Sequence, residues 1–254
     1  MKVLYFTGTG NSLSVAKRFD AELLSIPKMK HQERYEFSDD AIGFIFPCFM
    51  YDVPPLVKEF LKKAELDCEY TFAIFTCGEK LMAAPHRMKK FLAGIGKEFD
   101  YINGIVMTDN YIPMFEQSEQ VEKLEGKDVN GQIVKVIEDI ENRVRYVPDV
   151  RFTDRILVTM MQPFRSVILG NKFSRRFLTD DQCNKCGTCV KVCPSGNISV
   201  DDTVHFHDRC ETCLACIHLC PRNAIHLKKE KSSVRFRNPD VTVNEIISSN
   251  DQSE

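Results

Sequence analysis

No window of this 254-residue sequence approaches the ~20 consecutive apolar residues that a membrane-spanning helix needs. The run Met1-Lys2-Val3-Leu4-Tyr5-Phe6 gives way to glycine and threonine after four apolar residues, too short for the core of a secretory signal. Neither sign of charge is in excess. Against 34 Lys and Arg stand 36 Asp and Glu, a formal net charge of −2, which argues against nucleic acid as the main partner. With 43% hydrophobic and 28% charged residues, the composition is that of an ordinary soluble globular chain, long enough for one or two domains with a buried core. Cysteine is not scarce: eight of the 11 fall in two dense runs. The remaining Cys48, Cys68 and Cys77 are odd in number and irregularly spaced, and so read as free thiols in a reducing cytoplasm, the compartment expected for this chain.

The runs are Cys183-Asn-Lys-Cys186-Gly-Thr-Cys189-Val-Lys-Val-Cys193-Pro194 and Cys210-Glu-Thr-Cys213-Leu-Ala-Cys216-Ile-His-Leu-Cys220-Pro221. Each reads C-x2-C-x2-C-x3-C-P, the ligand run of a bacterial ferredoxin with two 4Fe–4S clusters, and the second repeats the first after 27 residues. Two-residue gaps let one tight loop bring three sulfurs to a single cube, and the fourth comes from the other run. By that rule Cys183, Cys186, Cys189 and Cys220 hold one cluster, and Cys210, Cys213, Cys216 and Cys193 hold the other. Zinc is the blander alternative, since cysteine pairs at this spacing also build four-thiolate zinc sites. Zinc knuckles normally supply two cysteines per loop, however, and nothing points to the oxidising compartment that a disulfide framework requires. Ile198 and Ile225, also 27 residues apart, are expected to cover the clusters with apolar surface. His205, His207, His218 and His226 stand at no ligand position and read as structural or exposed.

In the N-terminal half, residues 2–6 form a short apolar run ending in Thr7-Gly8-Thr9-Gly10-Asn11-Ser12, and Leu13, Ala16, Phe19 and Leu23 follow on one helical face. Strand, glycine-rich turn and helix start together make an anion site of backbone N–H groups and hydroxyls. A dinucleotide fingerprint would need glycine where Leu13 stands, and a P-loop would need a lysine that is absent. What remains is a hydroxyl-rich loop for a single phosphate monoester, or a plain connector. Thr7 to Ser12 resembles the phosphate loop of flavodoxins, in which hydroxyl residues alternating with glycine hold the phosphate of FMN.

Further strands are expected near Tyr35–Phe37 and over Ala41–Phe46, Tyr70–Thr76 and Tyr101–Met107, with helices carrying Leu56, Phe60 and Ala64, then Met88, Leu92 and Ile95, then Ile133, Ile137, Ile140 and Val144. Pro54-Pro55 opens the first of these helices. Five strands alternating with helices argue for an α/β, flavodoxin-like doubly wound parallel sheet of order 2-1-3-4-5. The ligand of such a sheet lies beyond the carboxyl ends of its strands, where three loops converge. The first is 7–12. The second holds Pro47, Cys48, Phe49, Met50 and Tyr51, and the third begins at Thr76, Cys77 and Gly78. Phe49 and Tyr51 suit stacking on a flat heterocycle or ordinary packing. Cys48 and Cys77 fall at strand ends facing the same place, as buried filler or as redox thiols. His86 reads as an ordinary helical side chain.

Residues 151–179 carry Ile156-Leu157-Val158-Thr159-Met160-Met161 together with Arg165, Lys172, Arg175 and Arg176. Such a basic, apolar segment suits a membrane surface or packing between two domains. Packing is expected here, because Pro163 interrupts a long amphipathic helix. Some of these arginines also suit an acidic redox partner. Arg235-Phe236-Arg237-Asn238-Pro239 is expected to pack back on the body, and residues 248–254 to be disordered.

A flavodoxin-like half followed by a two-cluster ferredoxin half is similar, over almost the whole chain, to the flavodoxin/ferredoxin fusion proteins of anaerobic bacteria and archaea. The most specific parts are Thr7 to Ser12, Met107-Thr-Asp-Asn-Tyr-Ile-Pro113, both cysteine runs and Arg235 to Pro239. The family often has proline where Thr108 stands. The resemblance implies FMN, two 4Fe–4S clusters and intracellular electron transfer, with Asn110 and Tyr111 reaching the flavin edge. The expected layout is residues 1–150 flavodoxin-like and FMN-binding, 151–178 connecting, 179–228 a small α+β two-cluster ferredoxin domain, and 229–254 a tail. The expected activity is that of an oxidoreductase passing electrons between a low-potential donor and a second redox protein or small acceptor. A non-catalytic carrier between two redox proteins, and a zinc-stabilised interaction module with an empty flavodoxin-like half, are the alternatives. No catalytic base stands out, and neither acceptor nor oligomeric state is legible.

Overall fold

The computed structural model describes residues 1–32, 34–170 and 172–252. Strands β1 (Lys2–Tyr5), β2 (Glu22–Ser25), β3 (Tyr35–Ser38), β4 (Ala41–Pro47), β5 (Ala64–Asp67), β6 (Tyr70–Cys77) and β7 (Tyr101–Val106) alternate with helices α1 (Asn11–Ala16), α2 (Ile26–Met29), α3 (Pro55–Lys63) and α4 (Ala84–Gly94). Helices α5 (Gln117–Glu122) and α6 (Val129–Glu141) follow. The central sheet is wholly parallel, in the order β2-β1-β4-β6-β7. Counted along that sheet alone, this is the 2-1-3-4-5 order of a doubly wound fold. Strands β4 and β6 are continuous apolar runs because both their faces are covered. Val3, Ile74, Tyr101, Ile133 and Val136 pack on the α1/α6 side, and Leu4, Phe44, Phe60, Phe75, Met88 and Leu92 on the α3/α4 side.

The C-terminal half begins with α7 (Phe152–Ile168) and continues as β8 (Phe177–Thr179), α8 (Thr188–Lys191), β9 (Ile198–Val200), β10 (Val204–Phe206), α9 (Ala215–His218), β11 (Ile225–Leu227) and α10 (Val243–Asn250). Two antiparallel ribbons, β8 with β11 and β9 with β10, flank the two short helices. This half is not a separate bead on a linker. Val192, Ala215 and Leu219, with Val241 and Ile246 of the tail, belong to the same apolar core as Val3, Val15 and Ile74.

Several expectations need correction. The second strand of the central sheet is Glu22–Ser25; Tyr35–Ser38 is a strand, but it pairs with β5 in a small separate sheet. Edge strand β2 is four residues long and mostly half-exposed, so it carries no apolar run by which to be noticed. Helical periodicity also overran the helices. Leu23 lies in β2, Ala64 opens β5, and Val144 is exposed beyond the end of α6. Pro163 does not interrupt α7. Its missing N–H leaves a helical carbonyl unpaired, but both Thr159 and Pro163 are exposed, where water satisfies that group. Nor does α7 bury its apolar face between two domains: Phe152, Ile156, Leu157, Met160 and Phe164 are all exposed. The tail is ordered through most of the stretch expected to be disordered, with Ser249 and Asn250 buried in α10. Residues 253 and 254 of that stretch lie outside the described residues.

Candidate functional site

The 27-residue repeat is carried by the backbone as well as by the cysteines. Left-handed residues occur in three pairs at that offset: Lys185 and Thr212, Gly187 and Leu214, Gly196 and Asn223. Each pair bends its loop at the same point, so the two runs fold alike although only the cysteines and prolines recur closely. The N–H groups 27 residues apart point at sulfur as well. Asn197 donates to Cys193 Sγ (3.2 Å) and Ala224 to Cys220 Sγ (3.3 Å). Thr212 N–H donates to Cys210 Sγ (3.3 Å), and Cys186 Sγ hydrogen-bonds with Thr188 Oγ1 (3.3 Å). Such contacts stabilise thiolate character and tune whatever the sulfur binds.

Cys183, Cys186, Cys189 and Cys220 line one cavity of about 320 Å3, counting its open mouth, whose apolar wall includes Val200, Val204 and Ile225. Three sulfurs from the first run and one from the second thus face a common space. The electrostatics divide the thiols in the same way. After desolvation, which raises Cys189 to about 11, the thiols acting on it are Cys220, Cys186 and Cys183. Cys216 is pushed well up by desolvation and then by Cys193, Cys213 and Cys210, ahead of Cys189 from the first set. Cys213 is likewise pushed well up, with Cys193 and Cys210 among its causes. These are therefore neutral thiols until a metal takes the place of their protons. Among the described residues no three His, Cys, Asp or Glu side chains group closely enough for a single metal ion. Four cysteines bordering one cavity are a four-thiolate donor set that fits an iron–sulfur cube.

The glycine loop lies against the second run. Thr7, Thr9 and Ser12 are buried, and their hydroxyls are held: Thr7 Oγ1 accepts from Gly10 N–H (3.1 Å), Thr9 Oγ1 accepts from Asn110 Nδ2 (2.6 Å), and Ser12 Oγ meets Thr76 Oγ1 (2.9 Å). Asn11 donates to the Thr108 carbonyl (3.0 Å). Gly10 has φ +104°, and a β-carbon there would also stand 3.0 Å from Asn238. The N–H groups of Gly8, Thr9, Asn11, Ser12 and Leu13 find no acceptor among the described residues. Buried, unpaired N–H groups at a loop-to-helix turn are costly unless an anion accepts from them, so the donor set fits a phosphate.

The other two loops reach the same end of the sheet. Tyr51, in a left-handed conformation (φ 58°), is raised by desolvation and then by Cys48, Glu79, Asp109 and Cys77, which brings loops 47–52, 77–79 and 109 together. Met50 is also left-handed. Phe49 packs edge-on against Phe6 at 6.2 Å, which leaves Tyr51 as the aromatic at the meeting point. Desolvation pushes Cys77 to about 12 and Cys48 well above the ordinary thiol range, so neither is a ready nucleophile. Pro47 and Thr76 pair across β4 and β6 at the base of the two loops. Gly78 leaves room for the Asp109 carboxylate.

Sequence reasoning gives no role at this site to four residues, although it reads His218 as structural or exposed and Asn238 as part of a stretch that packs back on the body. Lys127 donates from Nζ to the Gly78 carbonyl (2.6 Å) and the Met107 carbonyl (2.7 Å), tying the third loop to the end of β7. His218 is buried, its Nδ1 accepting from Phe236 N–H (3.1 Å) and its Nε2 facing the Asn110 carbonyl (2.8 Å). That makes it neutral with the proton on Nε2, and desolvation lowers it to about 4. Asn238 donates to Asn11 Oδ1 (3.1 Å), and Asn250 to the carbonyls of Thr7 (3.0 Å) and Val192 (3.2 Å). None follows a local pattern. Only the Arg-Phe-Arg-Asn-Pro stretch hinted that the tail returns.

Residues 159–239 match the 4Fe-4S dicluster domain family. The dicluster domain contains both cysteine runs and ends within the returning tail, and iron–sulfur clusters of this kind give it an electron-transfer role. Two solved structures resemble the chain in part. One is described as a flavoprotein from Bacteroides uniformis (13% identity, 48% of this chain and 96% of that one, TM-score 0.33). The other is the Trp repressor binding protein from Bacillus subtilis (10% identity, 54% and 96%, TM-score 0.32). No curated protein matches the chain. Fold and dicluster domain together give an α/β chain with a parallel central sheet and a C-terminal ferredoxin domain.

Proposed function

We propose that this chain couples two 4Fe–4S clusters to a bound FMN and passes electrons between a low-potential donor and a second protein or small acceptor. The observation that carries the reading is the packing of the glycine loop on the cysteine loop. A β-carbon on residue 8 would stand 2.9 Å from the Cys213 carbonyl oxygen, so only glycine lets the two backbones come this close.

In this reading Cys183, Cys186, Cys189 and Cys220 hold one cluster and Cys210, Cys213, Cys216 and Cys193 the other, as the cavity and the grouping of the thiols support. The free N–H groups of Gly8, Thr9, Asn11, Ser12 and Leu13 bind the phosphate, and Asn110 orients the Thr9 hydroxyl. Tyr51, Cys48, Cys77, Gly78 and Tyr111 surround the ring. Bound FMN supplies the ability to exchange electrons singly with the clusters and as a pair with an acceptor. Asn238 and Asn250 hold the loop in place, and the buried apolar residues between the halves exclude water from the approach.

Anaerobic purification with assay of iron, acid-labile sulfide and flavin tests the composition. Reduction by a ferredoxin donor, followed in the flavin band, tests the coupling. Iron with flavin, and flavin that bleaches after the clusters, is the expected result; flavin that stays oxidised while the clusters reduce overturns it.

A further inference from the structure

Among the described residues, helix α7 is the one place where several large apolar side chains stand out in solvent together. Phe152, Ile156, Met160 and Phe164 recur every fourth residue, and with Leu157 they are 45–73% exposed. At a helical pitch these five share one face. The opposite face is anchored: Val158 is buried, and Arg165 pairs with the buried carboxylate of Asp52. The helix is therefore fixed to the body with its apolar arc turned outwards.

The charge around the arc is one-sided. Residues 143–176 contain eight Lys and Arg against two Asp, and although Arg145, Arg165 and Arg175 pair with Asp100, Asp52 and Asp208 outside the segment, the remaining balance is still positive. Arg151 and Arg155 are exposed at the start of the helix, and Arg155 and Lys90 both lie close enough to His86 to lower it, after desolvation. An apolar arc edged by cations is what an in-plane amphipathic helix presents to an anionic bilayer: the arc enters the acyl boundary and the cations stay with the headgroups. At 17 residues the helix is shorter than the ~20 needed to span.

We propose that α7 docks this protein on the surface of a membrane rich in anionic phospholipid, with Phe152, Ile156, Leu157, Met160 and Phe164 inserted and Arg151 and Arg155 at the headgroups. The placement is independent of which cofactor the N-terminal half holds.

Flotation of the full-length holoprotein, purified anaerobically, tests it with vesicles of phosphatidylcholine alone and with about 30 mol% phosphatidylglycerol. The expected result is binding to the anionic vesicles, little to the neutral ones, and release at high salt. Ile156→Glu with Met160→Glu, at unchanged iron content, should abolish binding. Arg151→Gln with Arg155→Gln should weaken it by roughly 25-fold, about fivefold per cation. The chain has no tryptophan, so Phe164→Trp gives a single emitter whose spectrum should shift to the blue on anionic vesicles only. Absence of binding and of the shift overturns the proposal. So does a dimer by light scattering that Ile156→Glu dissolves while vesicles stay unbound, because the face then belongs to a second copy of the chain.

Discussion

The Cys213 carbonyl oxygen sits 2.9 Å from the point at which a β-carbon of residue 8 would lie. A residue of the glycine loop and one of the second cysteine run, 205 positions apart, thus meet backbone to backbone. Gly8→Ala must push the two apart, and the obstacle is a carbonyl rather than a flexible side chain. Overpacking of this kind costs about 1–3 kcal/mol. We expect a lower Tm for the holoprotein, and slower passage of electrons from clusters to flavin in stopped-flow, at unchanged iron content.

Crossed ligation makes a prediction about pairs. Cys189→Ser with Cys220→Ser should remove one cluster and leave about half the iron, whereas Cys189→Ser with Cys193→Ser should remove both. Runs that each held their own cube would give the opposite pattern. Iron and sulfide assays on the reconstituted variants decide between them.

Asp52 is almost fully buried and receives Lys58 (2.9 Å), Arg87 (2.7 Å) and Arg165, side chains from α3, α4 and α7. Those cations keep its carboxyl below the ordinary range despite desolvation. Asp52→Asn leaves three partly buried cations without their counter-ion, a loss on the order of 3–5 kcal/mol. Limited proteolysis should then cut within residues 151–170, the segment whose anchor has gone.

Helix α10 begins with a capping box: Thr242 Oγ1 accepts from Glu245 N–H (3.2 Å), and Glu245 accepts from Thr242 N–H (2.7 Å). Lys17 and the cap hold Glu245 at about 2, below its ordinary 4.5. A depressed carboxylate stabilises the folded state above pH 4.5 and loses that contribution as pH falls towards 2. Glu245 is partly exposed, so the effect is modest, on the order of 1 kcal/mol. Protection factors over residues 243–250, with the intrinsic slowing of exchange in acid divided out, should fall as pH is lowered through that window, and Glu245→Gln should flatten the dependence.

His218 bridges Asn110 and Phe236 with both ring nitrogens in use. His218→Ala leaves the buried Phe236 N–H unpaired, at roughly 1–3 kcal/mol, and takes from the Asn110 carbonyl one of its two donors, the Ile112 N–H (3.0 Å) remaining. Weaker flavin retention is expected, because Asn110 in turn holds the Thr9 hydroxyl. Equilibrium dialysis against FMN measures it.

Much of this was legible without coordinates. The ligand spacing, its 27-residue recurrence and the alternation of strand and helix are local patterns, and chemistry that needs three sulfurs on one loop must write them contiguously. The central strands could be read because burial on both faces demands an unbroken apolar run. Strand β2 could not, because an edge strand needs none. Nor could the course of α7, where solvent tolerates the gap that Pro163 leaves.

Residue types at fixed separations decided by themselves what the cysteines and glycines are chemically able to hold. Which distant parts face one another was decided only on folding. Cys213 against Gly8, Asn250 on Thr7, His218 on Asn110 and Arg165 on Asp52 are contacts between groups with no sequence period in common. The contacts of the cysteine loops and tail follow from one apolar core, shared by sheet, cysteine loops and tail, that draws those segments together, and the last is an ion pair on a buried carboxylate.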